Sequence, residues 1–239
     1  MSTLPLAARL PECKTTRMSD EQTPPKKIAL VTGASRGLGT AMAEALAEAG
    51  WHVMAVARTT GGLEDLDDRI QAKGGSASLA PMDITDKGAM QHLAASVGAR
   101  WGGVQLWVHT AIFACQLTPA GHIDDEDMEK SITTNITATA HLIGLIEPLL
   151  KAGNGTAMFF DDDRAGQKFF GAYGATKAAQ IALARSWQAE NVKIGPRVII
   201  ERPAPMPTAT RARFFPGEDR KVLVSPHDEA ARIIAGLAL

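Results

Sequence analysis

From Lys27 onward, compact apolar runs alternate with longer segments in which hydrophobic residues return every three to four positions. A compact run rich in Val and Ile suits a strand buried on both faces, and the longer spacing lays an apolar stripe along one side of a helix. Strands are expected at Ile28 to Val31, His52 to Ala57, Ser76 to Met82, Val104 to Val108, Thr156 to Phe160 and Pro196 to Ile200. An Ala-rich helix is expected after Gly39, stopping by Gly50. Others are expected over Leu63 to Lys73, from Asp86, over Asp127 to Leu150 with Pro148 near its end, and from Tyr173 through Glu190. Prolines at 203, 205 and 207 preclude helix after the last strand and suggest a stiff loop. This alternation predicts an α/β fold, one doubly wound parallel sheet forming a single domain over 27–239.

Composition narrows the partners. With 239 residues, 45% hydrophobic and 21% charged, the chain can bury one sizeable core. Its 25 basic and 26 acidic residues leave a formal net charge of −1, no electrostatic reason to expect nucleic acid or a membrane surface as partner. No apolar run reaches the roughly 18 residues that span a bilayer. Cys13 and Cys115 have neither metal-ligand nor redox spacing, so no metal is expected and a reduced, cytoplasmic setting is the simplest. Residues 1–26 carry Pro, Thr, Lys and Arg without sustained periodicity and are expected to be a disordered N-terminal extension. Leu4 to Leu10, interrupted by Pro5, is short for a secretory signal, and Met18 offers an alternative start.

The sharpest chemical signal is Thr32-Gly33-Ala34-Ser35-Arg36-Gly37-Leu38-Gly39, between the first strand and the first helix. Glycine tolerates positive φ and lets backbone approach a ligand, while free N–H groups and the dipole at a helix start attract an anion. The implied ligand is a pyrophosphate; plain turn chemistry is the alternative for the glycines alone. Their G-x-x-x-G-x-G spacing is neither the G-x-G-x-x-G of many dinucleotide dehydrogenases nor a Walker loop. Preceded by Thr, it resembles the short-chain dehydrogenase/reductase family, and the resemblance covers Lys27 to Leu239. It implies a Rossmann-type fold and a nicotinamide dinucleotide held by Gly33, Ser35, Arg36, Gly37, Leu38 and Gly39.

Other positions refine the cofactor. Arg58 ends the second strand where the family's adenosine ribose lies. No acid is present there for a 2′-hydroxyl, and the guanidiniums of Arg36 and Arg58 suit a 2′-phosphate, so NADP(H) is expected over NAD(H); solvated surface arginines are the alternative. Asp83 and Ile84 match the family's adenine-holding pair, although Asp83 alone could simply cap the next helix. The fourth strand runs into His109-Thr110-Ala111-Ile112, where relatives usually show Asn-Asn-Ala-Gly. Thr110 and Ala111 would contact the cofactor, and a branched Ile112 could crowd its ribose. The His resembles the YciK-type bacterial branch, and a lone His at a strand end reads first as a hydrogen-bonded structural residue. Pro203 and Thr208 match the turn that holds the nicotinamide carboxamide, with Ala204 for the usual Gly, and Thr208 to Pro226 again resembles the YciK type.

Tyr173 and Lys177 share one face at a helix start. A phenol near pKa 10 is a poor acid–base group at neutral pH, and an adjacent ammonium lowers that value. The resemblance implies Tyr173 as proton donor and Lys177 as its tuner and ribose ligand, with Asn135 in Thr-Asn-Ile-Thr-Ala supporting a proton relay. The family's Ser after the fifth strand is missing, and Asp161 stands there. An ionised carboxylate repels a carbonyl oxygen gaining charge, so Asp161 serves ketone reduction only if protonated. It better suits a C=N substrate, as in the similar pteridine reductases; otherwise Asp161-Asp162-Asp163 is a solvated acidic loop. Phe169 and Phe170 line or lid the site, or simply pack. The expected protein is an NADPH-dependent reductase of a small carbonyl or C=N substrate; a catalytically impaired NADP(H)-binding sensor or assembly subunit is the alternative. A homodimer or homotetramer is expected, its tail contacts altered because the chain stops at Leu239 short of the family's full final strand.

Overall fold

The protein's structure, a computed structural model, describes residues 27–237. The expected N-terminal extension over 1–26, with Cys13 and Met18, lies outside the described residues. Six parallel strands form one sheet in the order β3-β2-β1-β4-β5-β6: β1 Ile28–Thr32, β2 His52–Ala57, β3 Ser76–Pro81, β4 Leu106–His109, β5 Thr156–Phe160 and β6 Arg197–Glu201. Helices α1 (Gly37–Glu48), α2 (Thr60–Ala72) and α8 (Pro226–Gly236) cover one face. On the other lie α3 (Lys87–Trp101), α5 (Ala138–Gly153) and α6 (Gly171–Glu190). Two short helices, α4 (Asp125–Ser131) and α7 (Ala209–Phe214), complete the connections at the strands' C-terminal end.

All of β1 is buried because its side chains alternate between two cores. Ala29 and Val31 pack with α1, α2 and α8, while Ile28 and Leu30 pack with α3, α5 and α6. A strand that meets helices on both sides must be apolar throughout, which is why the compact runs were legible. Leu142 of α5 is fully buried in the second core, and Leu142→Ala there would cost about 2–5 kcal/mol.

The order of strands reverses between β1 and β4, so the connections leaving them cross to opposite faces and a crevice opens at their C-terminal ends. Register pairs Thr32 with His109 and His109 with Phe159, so β1, β4 and β5 end nearly level at the crevice.

One expected element differs in kind. The helix expected over Asp127 to Leu150 runs as α4, then a π-helical turn over Ile132–Thr137, then α5, with Pro148 inside α5. The wider turn coincides with Asn135, which it sets fully into the core. Asp86 caps α3 by accepting from Ala89 N at 3.0 Å, and Gly102, at φ 76°, ends that helix.

Candidate active site

A cleft of about 360 Å³ occupies the crevice, and the turn from β1 into α1 forms one wall. Gly33 and Gly37 there have φ of 90° and 61°, the region that favours glycine. A Cβ on Gly39 would lie 2.2 Å from Gly33 O and 2.4 Å from Thr110 Oγ1, so the turn closes only without one. Arg36 at the N-cap of α1 makes no side-chain capping bond, which leaves the N–H groups of the first turn to whatever the cleft holds. Unbonded N–H groups, the helix dipole and a Cβ-free approach together fit a pyrophosphate. Gly33, Ser35, Arg36, Gly37, Leu38, Gly39, Arg58, Asp83, Ile84, Thr110, Ala111, Lys177, Pro203 and Thr208 all line this cleft. Arg58 reaches Asp83 at 3.7 Å in an exposed pair of little strength, so its charge stays available at the rim. Thr110 is held inward, its hydroxyl donating to Thr32 O at 2.9 Å.

Tyr173, in the first turn of α6, is buried, and its hydroxyl donates to Asp162 Oδ2 at 3.0 Å. This corrects the placing of Asp161 at the missing Ser. Asp161 lines the cleft, but its Oδ2 meets Arg202 at 3.2 Å and Arg185 at 3.5 Å. The cause is strand geometry: Asp161 N donates to Glu201 O at 2.7 Å, extending the β5–β6 pairing by one residue. Successive side chains of an extended segment point to opposite sides, so Asp162, not Asp161, turns to the Tyr173 hydroxyl. Arg164 Nε lies 3.0 Å from Asp162 Oδ1 without the alignment of a hydrogen bond, and its guanidinium stacks over Phe170 and Phe215.

Electrostatics differ from the expectation too. Burial, and then the Asp162 carboxylate, push the Tyr173 phenol well above its ordinary value, so it stands as a neutral donor rather than a phenolate tuned by Lys177. Lys177 Nζ instead donates to Gln180 Oε1 at 2.8 Å, and burial pulls its amine down to about 8 against the opposing pull of Asp162 and Asp161. Asn135 does not line the cleft. Its Oδ1 accepts from Phe113 N at 2.7 Å, and its Nδ2 donates to Phe113 O and Thr176 Oγ1. That clamps the segment after β4 to α6. His109 is fully enclosed, its ring nitrogens meeting Thr32 and Gln180, and burial followed by the Lys177 charge holds it down to about 3. It is therefore a neutral structural imidazole.

The aromatics that line the cleft are others than those singled out in the sequence. Phe169 is exposed and Phe170 packs behind Tyr173, whereas Phe214 of α7 and Phe215 line the cleft. The Phe214 ring centroid is 4.8 Å from that of Tyr173. Thr208 caps α7 through Arg211 N at 3.2 Å. On the other side of the loop, Glu229 of α8, 2% exposed, accepts from Ala204 N at 2.8 Å and from Arg232. Sequence reading missed Asp162, Gln180, Phe214 and Glu229. Two had a visible signal: Gln180 is a polar residue three positions after Lys177 on the same face, and Glu229 interrupts the apolar stripe of α8. Among the described residues no helix is long and apolar enough to cross a membrane, and no group of three or more His, Cys, Asp or Glu could hold a metal.

Comparison with known proteins agrees with this architecture. A family model for short chain dehydrogenase matches residues 27–219. A fatty acyl-CoA reductase from Acinetobacter baylyi is 33% identical over 171 residues, covering 70% of this chain; the match spans only 58% of that relative's length. The oxidoreductase yciK from E. coli superposes with a TM-score of 0.78 at 25% identity, covering 86% of each chain. An alcohol dehydrogenase from the archaeon Thermococcus sibiricus, complexed with 5-hydroxy-NADP, gives 0.77 at 25% identity over 89% of this chain and 91% of that one. With most of its length matched by the family model, its sheet order and its glycine turn all in agreement, the chain belongs to the short chain dehydrogenase family.

Proposed function

We propose that the protein is an NADPH-dependent reductase acting on a small substrate, with C=N favoured over C=O. One observation carries the reading: the Tyr173 hydroxyl donates to the Asp162 carboxylate at 3.0 Å inside a cleft whose other wall suits a pyrophosphate. When bound, NADPH supplies the hydride. Gly33, Ser35, Arg36, Gly37, Leu38 and Gly39 would hold its pyrophosphate, Arg36 and Arg58 its 2′-phosphate, and Asp83 and Ile84 its adenine. Thr110, Ala111 and Lys177 would face the nicotinamide ribose, and Pro203 and Thr208 the carboxamide. Support for NADP(H) over NAD(H) comes from the two rim arginines and from the complex of the similar alcohol dehydrogenase with 5-hydroxy-NADP.

A neutral phenol beside a carboxylate is arranged to protonate nitrogen. As hydride reaches the carbon of a C=N bond, the nitrogen gains basicity and takes the Tyr173 proton. A substrate N–H or iminium charge is stabilised by Asp162. Asp162, one-third exposed, connects the phenol to solvent for the return of a proton. A carbonyl oxygen gaining negative charge beside ionised Asp162 would be repelled instead. Asn135 acts at one remove by clamping the segment that carries Thr110 and Ala111 to the helix of Tyr173 and Lys177.

The test is loss of NADPH absorbance across imines, dihydropterins, quinones, aldehydes and ketones, with Tyr173→Phe as control. Turnover of C=N substrates that vanishes in Tyr173→Phe supports the reading; full turnover in that variant refutes it. A second reading, an NADP(H)-binding sensor or assembly subunit, is favoured by Phe214 lying over Tyr173 and by Ile112 in the cleft. Tight NADPH binding with no turnover on the panel would select it. The assembly is proposed to be a homodimer or homotetramer, read by light scattering.

A further inference from the structure

We infer that Gln180, anchored by Thr139 and His109, is a positioning residue that fixes where the Lys177 amine sits at the floor of the cleft. Lys177 and Gln180 are three residues apart on α6 and share its inward face; both are buried. Among the described residues, Gln180 Oε1 is the one hydrogen-bond acceptor that Lys177 Nζ meets, at 2.8 Å. The other end of the amide is tied down: Nε2 donates to Thr139 Oγ1 at 3.0 Å and faces His109 Nε2 at 3.3 Å.

The charge on Lys177 decides which way the Gln180 amide faces. An ammonium has only protons to offer, so the amide oxygen must face Lys177 and the NH₂ must face inward. The His109 tautomer that matches an NH₂ facing Nε2 carries its proton on Nδ1, the nitrogen 2.8 Å from Thr32 Oγ1. Thr32 Oγ1 also accepts from Trp107 Nε1 at 3.2 Å and donates to Val108 O, while Thr139 Oγ1 donates to Asn135 O at 2.8 Å. The chain of bonds thus runs from the cleft into the sheet and ends on backbone carbonyls. Turning the Gln180 amide over would set NH₂ against ammonium and strand two buried groups, so the side chain has one stable orientation. An amide passes no proton between its N and O without tautomerising, so this chain holds Lys177 in place and leads no proton inward.

A residue that only satisfied the core would leave Lys177 and the cofactor untouched on substitution. The inference rests on the reading of Lys177 as a ribose-facing amine, and its test is therefore run first on the free protein. Lys177 is titrated by NMR in ¹³C-lysine-labelled protein, assigned with Lys177→Arg, for wild type, Gln180→Leu and Gln180→Glu; NADPH dissociation constants are measured by calorimetry on the same three. Wild-type Lys177 is expected to titrate at about 8. Gln180→Leu is expected to move that titration to lower pH and weaken NADPH about tenfold or more, the loss of a hydrogen bond to a charged group. Gln180→Glu, nearly isosteric, is expected to move it upward, because a carboxylate favours the ammonium. Folded variants whose Lys177 titrates as in wild type, with unchanged NADPH affinity, overturn the inference. Should Gln180→Leu fail to fold, Gln180→Glu decides alone. A wild-type protein that binds no NADPH defeats the cofactor reading, and the Lys177 titration still decides the role of Gln180.

Discussion

The Tyr173 hydroxyl donates to Asp162 Oδ2 at 3.0 Å, while Asp161, one residue earlier, gives its carboxylate to Arg202 and Arg185. Adjacent acids thus have separate tasks, and substitution separates them. Asp162→Asn is expected to lower kcat on a C=N substrate by about 10²–10⁴-fold, the range for a general acid–base partner. Asp161→Asn removes only a partly exposed ion pair, at roughly 0–1 kcal/mol of stability, and should leave kcat within about threefold. Steady-state rates and thermal melts of the two variants check this; equal losses in kcat would return Asp161 to the reacting centre.

Arg58 stands at the rim with its charge largely free. Arg58→Ala is expected to raise the KM for NADPH about tenfold or more and to leave that for NADH nearly unchanged, since a charge-assisted bond to phosphate contributes about 1.5–3 kcal/mol. The ratio of the two KM values is the readout. Parallel changes for both cofactors would place the 2′-phosphate elsewhere.

His109 makes stability acid-sensitive. Its folded pKa is held by burial near 3, against an ordinary 6.5. Between those values the unfolded chain binds a proton that the folded chain does not. Its contribution is therefore complete above about pH 6.5 and declines as pH falls toward 3, by at most about 5 kcal/mol. Urea unfolding at pH 7 and pH 4 should show a smaller pH-dependent loss in His109→Gln than in wild type. Identical losses would mean that His109 charges without cost in the fold.

Glu229 holds the Ala204 N–H from the neighbouring helix. Glu229→Ala leaves that donor without its buried acceptor and Arg232 with Glu201 alone, at about 1–3 kcal/mol of stability. It should also raise the NADPH KM by loosening the Pro203 to Thr208 loop. A melt that falls while KM stays constant would make the link purely structural.

Much of the fold was legible because its signals are local. The inner strands β1, β2, β4 and β5 are buried on both faces and so read as compact apolar runs, and the helices between them carry a stripe of period 3.6. The glycine turn was readable because Gly33 and Gly37 need positive φ, a demand the backbone makes on its own residue types. Lining positions from Gly33 to Thr208 could be named in advance because their motifs resemble those of the short-chain family, and the doubly wound topology brings those strand ends to one edge.

What the chain by itself determined is therefore the set of elements, the phosphate-ready turn and the Tyr173–Lys177 pair on one helical face. Tertiary structure alone decided which acid meets the phenol, because a one-residue step along an extended strand reverses the side chain. That register is set by Asp161 N pairing with Glu201 O, forty residues away. It likewise decided the partner of Lys177, whose Gln180 is anchored by Thr139 and His109, 41 and 71 residues distant from that Gln. It placed Asn135 in the core through a π-helical turn that no local propensity marks. Propensity and periodicity act over a few residues, whereas the orientation of a buried polar group is settled by whichever distant donor or acceptor packing brings within 3 Å.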